Sequence, residues 1–110
     1  MYSTILVAVD LSKDSQKVID KALAAAKCDT SNIHLVHVVE PVAAAYSMDI
    51  YAVNINEIQQ EAITMAEKKL KEIAQRLNLD ETKVHTLLGA PGLEIRNLAT
   101  EIGVDAIVIG

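Results

Sequence analysis

A chain of 110 residues has room for one domain with a single hydrophobic core and little room for two. Hydrophobic residues at 51% and charged residues at 23% exclude a disordered chain, and with three Tyr, no Phe and no Trp the core has to be aliphatic. The net charge of -5 excludes the basic face that nucleic-acid phosphates require, and no Tyr is interleaved with Lys or Arg as a base-stacking platform would need.

Ile5-Leu6-Val7-Ala8-Val9 is a continuous β-prone run, the pattern of a strand buried on both faces. It is far too short to span a bilayer or to serve as a signal-peptide core. Asp10-Leu11-Ser12 breaks it, with Ser12 the expected N-cap of a helix carrying Val18, Ile19, Ala22, Leu23 and Ala26 at helical spacing. Asp14 near the start of that helix and Lys27 near its end suit the helix dipole. Asp29-Thr30-Ser31-Asn32 is turn chemistry, and Ile33 to Val39 reads as a second strand closed by Pro41. Val42 to Asn54 has no convincing period.

Ile58, Ala62, Met65, Ala66, Ile73, Ala74 and Leu77 then form one apolar stripe on a long helix, with Asn54 placed before Glu57 as in a capping box. Its charged residues, Glu61, Glu67, Lys68, Lys69, Lys71 and Glu72, read as the water-facing side. Lys83 to Leu88 is the third expected strand, alternating on a Val84, Thr86, Leu88 face. The Gly89-Ala90-Pro91-Gly92 turn opens a short helix with Ile95, Leu98, Ala99 and Ile102 inward, ended by Gly103. Asp105 to Ile109 is the fourth strand. Strands alternating with helices predict an α/β protein: a three-layer α/β/α sandwich, Rossmann-like, on a parallel sheet. Its ligand crevice lies beyond the carboxyl ends of the strands, at Asp10, the Val38-to-Glu40 segment, Gly89 and Gly110.

No catalytic constellation is legible. Ser12 and Ser15 lack a nearby His or Asp partner, there is no Gly-x-Ser-x-Gly elbow, and Glu94 and Glu101 read as a solvated face. Asp10 and Glu40 are the one carboxylate pair brought to neighbouring strand ends, in a sheet too small to suggest a glycosidase cleft. His34 and His37 point to opposite faces of one strand and His85 lies on another, so no metal ligand set is expected. The Gly89-to-Gly92 turn lacks dinucleotide spacing. Asp10 as a phospho-acceptor is disfavoured by Val9 beside it and by Gly89 at the third strand's end. Cys28 has no partner for an intrachain disulfide, which fits a reducing cytoplasm. Met48, Ile50, Tyr51 and Val53 would offer an apolar patch if exposed; packing over the sheet edge is the preferred reading.

The residues at those strand ends resemble the universal stress protein family. The resemblance rests on Ile5-to-Ser12 with its Asp-x-Ser ending, on His37-Val38 closing the second strand, and on Gly89-x-Pro91 followed by Ile95, Ala99, Val104-Asp105 and Ile107-to-Gly110. Tyr46 to Asn56 and the helix after it look like the UspA branch. The resemblance implies an adenine nucleotide alpha hydrolase-like fold with strand order 3-2-1-4-5, a stress-response role, a cytoplasmic homodimer, and ATP or AMP held as a non-catalytic signal. Carried over by position, Ala8, Val9 and Asp10 line the crevice, Asp10 accepts from ribose hydroxyls, Val38 reads adenine through its backbone, and Ile109 and Gly110 form the near wall. In binding members the glycine matching Gly110 opens the triphosphate loop, followed by a helix and a fifth strand; here the sequence stops there. The expectation is therefore the front part of a longer member, holding at most the base-and-ribose half of a site and no tightly bound nucleotide on residues 1–110. A nucleotide-independent regulatory dimer of the UspA branch is the alternative. The fourth strand, lacking its neighbour, is expected to promote association.

Overall fold

This computed structural model describes residues 4–12, 15–26, 30–41 and 52–109, with the backbone alone for residues 30 and 52–55. Strand β1 (Ile5–Ala8) leads into helix α1 (Ser15–Ala25). After a short 3-10 turn come β2 (Ile33–Val39) and the long helix α2 (Ala52–Leu77). A second 3-10 turn (Glu81–Lys83) enters β3 (Val84–Leu88), and α3 (Pro91–Ile102) returns the chain to β4 (Ala106–Ile109). The four strands form one parallel sheet in the order β3-β2-β1-β4. The first four positions of the expected 3-2-1-4-5 order are thus in place.

Alternation on β1 explains the layering. Ile5 and Val7 face Val18, Ile19, Ala22, Leu70, Ile73 and Ala74 of α1 and α2, while Leu6 and Ala8 face Leu98 and Ala99 of α3. Every residue of β1 is buried, as a strand with helices on both faces requires. Register places Leu35 between Val7 and Val84, and both Leu35 and Leu70 are fully buried.

Several local expectations need correction. Helix α1 is described from Ser15; the N-cap expected at Ser12 borders residues 13–14, outside the described residues, and the Ser12 carbonyl accepts from the Ser15 N–H at 3.1 Å. Asn54 lies inside α2, which starts at Ala52, so it does not cap that helix. The apolar stripe of α2 is buried only along its second half. Ala66, Leu70, Ile73 and Ala74 are buried, whereas Ile58 and Met65 are 41% and 59% exposed. Length is the reason: 26 residues of helix run about 39 Å, and the seven residues of β2 about 23 Å, so the helix overshoots the sheet. Cys28, Asp14, Lys27, Met48, Ile50 and Tyr51 lie outside the described residues, as does the side chain of Val53. At α3 the reading holds: Pro91 is its first residue, and Gly103 closes it in a left-handed conformation at φ 81°.

Candidate functional site

In the order β3-β2-β1-β4 the chain reverses its direction of growth between β1 and β4, and a doubly wound sheet opens a crevice at such a point. The carboxyl ends of β1, β2 and β4 meet there. Val9 extends the ladder one step past β1 by donating its N–H to Val36 O at 3.0 Å. The Val9 carbonyl is held by the His37 side chain, with Nδ1 2.7 Å away. A carbonyl only accepts, so Nδ1 is the donor in this contact.

The following turn is built by Asp10. One of its carboxylate oxygens accepts from the Ser12 N–H at 2.9 Å and from the Ser15 hydroxyl at 3.3 Å. The bond to Ser12 spans Leu11, whose φ of 64° is a conformation that costs an L-residue about 1–2 kcal/mol. It also gives the buried Ser15 an acceptor for its hydroxyl. Hydrogen bonds from the Ser12 side chain and then its backbone hold the Asp10 carboxyl below the ordinary aspartate range, and Ser15 adds to them. Asp10 is exposed and lines the mouth of the crevice.

The crevice measures about 230 Å³. Ala8, Val9, Asp10, Val38 and Ile109 all line it, and Ala8 and Ile109 are register partners across β1 and β4. These are five of the six residues expected from the sequence; Gly110 lies outside the described residues. Sequence reasoning missed Val36, His37, Pro91 and Ile95 as lining residues, while Glu40, expected at the strand ends, does line the crevice. For Pro91 and Ile95 the signal was present in the motif after the third strand, but only the packing of α3 over the crevice turns that motif into a wall. His37 had been set aside with the other histidines because no metal set was visible. Its role follows from His37 standing beside Val9 on the neighbouring strand, which spacing along one strand does not reveal.

The walls are apolar and the mouth carries two carboxylates, Asp10 and Glu40, with no Lys or Arg among the lining residues. Such a mouth suits a flat apolar body bearing hydroxyl or amino donors, and it repels phosphate. Among the described residues no group of three or more His, Cys, Asp or Glu is arranged for a metal ion. A more voluminous cleft, about 500 Å³, lies between the Leu11-to-Gln16 stretch after β1 and the Lys69-to-Arg76 stretch of α2. The strand-end crevice is the better candidate because three strand termini and the start of a helix converge on it. Glu94 departs from the solvated face expected for it. It is half-buried and folds over Gly89, whose α-carbon has room for no more than a hydrogen on that side.

The family model for the universal stress protein family matches residues 1–110. The chain belongs to the universal stress protein family. A universal stress protein A homolog of Coxiella burnetii is 34% identical over 110 residues, spanning 99% of this chain and 76% of the relative. Among solved structures, universal stress protein UspA from Lactobacillus plantarum superposes with a TM-score of 0.77 at 21% identity, covering all of this chain and 78% of the other. A universal stress protein crystallised in complex with cAMP matches at a TM-score of 0.52 and 22% identity over 96% of this chain and 70% of that one. At these identities the two structures establish the fold alone. The α/β architecture expected from the alternating periodicities is the family's own, and no described helix is long and apolar enough to cross a membrane.

Proposed function

We propose that this member of the universal stress protein family is a non-catalytic sensor that holds the base and ribose of an adenine nucleotide in the strand-end crevice. The observation that carries the reading is the convergence of Ala8, Asp10, Val38 and Ile109 around one crevice at the switch point of the sheet. Its volume, below the ordinary range for a whole drug-sized ligand, suits a nucleoside half. In this reading Asp10 accepts from ribose hydroxyls and the Val38 backbone meets the edge of the base, which is supported by both residues lining the crevice. The cAMP complex of a family member with the same fold supports the choice of an adenine nucleotide. No catalytic role is assigned, since among the described residues neither the crevice nor the turn beside it presents an activated nucleophile with a base. The lone cysteine supports a cytoplasmic location.

Titration calorimetry with adenosine, AMP and ATP tests the reading. Adenosine and AMP are expected to bind weakly and comparably, and ATP no more tightly, because no cation lines the crevice. Asp10→Asn keeps an acceptor for Ser12 and removes the charge, so the fold is expected to persist while affinity falls roughly tenfold, the loss of one charged hydrogen bond. Undetectable binding of all three ligands at millimolar concentration would overturn the proposal, as would unchanged affinity in Asp10→Asn. Tight binding confined to ATP would mean that phosphate contacts carry recognition instead. The homodimer is part of the same proposal. It is supported by Ile107 and Ile109, 39% and 66% exposed on β4, an edge strand among the described residues. Sedimentation is expected to show a dimer; a monomer at high concentration would remove that part.

A further inference from the structure

Two histidines far apart in sequence meet on the α3 side of the sheet. His85 is the register partner of Val36, and His34 precedes Val36 by two residues, so the two imidazoles leave the same face one diagonal step apart. His34 Nδ1 and His85 Nε2 are 3.1 Å apart, with ring planes 15° apart and centroids 5.4 Å apart. The centroid separation exceeds the nitrogen contact by about what two imidazole radii add, so the rings meet tip to tip instead of overlapping their faces. A contact of that length and direction is an N–H···N hydrogen bond and needs one proton between the nitrogens.

Proton counting gives the pair three states. In the neutral pair one ring donates to the other's lone pair. One added proton sits on an outer nitrogen, and the bridge becomes a charge-assisted bond from imidazolium to imidazole. A second added proton leaves no lone pair in the bridge, and two N–H groups and two positive charges then face each other. The surroundings oppose that last state. Lys83, at the turn that enters β3, adds a positive charge near His34, and β1 offers only Leu6 as the register partner of His34. Glu101 of α3 is the one carboxylate found to act on His85.

We propose that the His34–His85 pair is an acid-opened clasp that holds the edge strand β3 to β2. The strand is well placed to respond, since among the described residues β2 is its only neighbour in the sheet, and the pair sits where it begins. Burial first, then repulsion from His85 and Lys83, holds His34 below the ordinary histidine range; burial holds His85 below it, against the pull of Glu101. Both folded-state values lie under the unfolded ones. The stabilisation is therefore complete above the unfolded value of about 6.5 and is lost as pH falls through the folded values.

Amide hydrogen exchange at pH 7.5 and pH 5.0, corrected for intrinsic rates, reads the clasp strand by strand. Protection of the Val84–Leu88 amides is expected to fall at least tenfold further than that of Ile5–Ala8, and His85→Gln, which cannot gain a proton, is expected to abolish the difference. NMR titration of the unaltered protein gives a second reading should the variant not fold: the two imidazoles are expected to titrate in two coupled steps more than one unit apart. Equal loss of protection in β1 and β3, retention of the difference in His85→Gln, or two independent titrations at the ordinary histidine value would each overturn the proposal.

Discussion

Replacing Leu35 by Ala is expected to lower the midpoint of thermal unfolding by on the order of 15–25 °C, the largest single effect anticipated in this molecule. Leu35 is fully buried at the centre of β2, between Val7 of β1 and Val84 of β3, in the layer that α1 and α2 cover. Truncation there removes transfer free energy and leaves a cavity that a strand held on both sides cannot collapse into, for a loss of about 3–5 kcal/mol. Domains of this size are stable by only about 5–15 kcal/mol, so a large part of the margin goes with one side chain. Leu88→Ala is the matched control. That leucine ends β3 with 48% of its surface exposed and should shift the midpoint by only a few degrees. Thermal unfolding followed by circular dichroism decides the matter, and equal shifts for the two variants would remove Leu35 from the centre of the core.

Gly89→Ala is expected to destabilise the fold by about 1–3 kcal/mol, whereas Gly92→Ala, three residues away, is expected to stabilise it by about 0.5–1 kcal/mol. The opposite signs come from the backbone. Gly89 sits at φ 150°, where L-residues are rarely found, and an added Cβ would stand 3.0 Å from Cγ and 3.2 Å from Oε2 of Glu94. Gly92 lies in the first turn of α3, and a Cβ there meets nothing within 4 Å, so alanine gains helix propensity without a clash. The first substitution has a second consequence. Gly89 ties β3 to β2 through its N–H to Val39 O at 3.0 Å, two residues before α3 begins at Pro91. Pro91 and Ile95 of that helix wall the crevice, so Gly89→Ala is also expected to weaken adenosine binding while Gly92→Ala leaves it unchanged. Urea unfolding and calorimetry on the two variants test both statements. Destabilisation by Gly92→Ala equal to that by Gly89→Ala would refute the backbone argument.

The turn after β1 was legible only as a break at Asp10-Leu11-Ser12; Ser12 and Ser15 were expected to lack an Asp partner, yet Asp10 accepts from both. Asp10, Ser12 and Ser15 are close along the chain, and a carboxylate followed two residues later by a serine is the pattern of a side chain closing its own turn. What that pattern did not reveal was the division of labour. Asp10 closes the turn, and the Ser12 N–H is its donor. The long helix shows the opposite case. Its periodicity identified Ala66, Ile73 and Ala74 correctly, but it also ranked Ile58 and Met65 as core and passed over Leu70, because periodicity marks a face and not how far along that face a neighbour extends.

The amino-acid sequence by itself determined the alternation of strands and helices, the double-sided burial of β1, the ends of α3 at Pro91 and Gly103, and the strand termini where a ligand would sit. Each of these depends on residues within about one turn or one strand of each other, where side-chain pattern and backbone preference act directly. Only the tertiary structure decided that His37 would hold the Val9 carbonyl, that α3 would close over the crevice, and that His34 and His85, 51 residues apart, would share a proton. Those contacts are set by which strands become neighbours and in what register. One step of slip on β3 would turn His85 to the opposite face, so no reading of either histidine's own surroundings along the chain could have paired them.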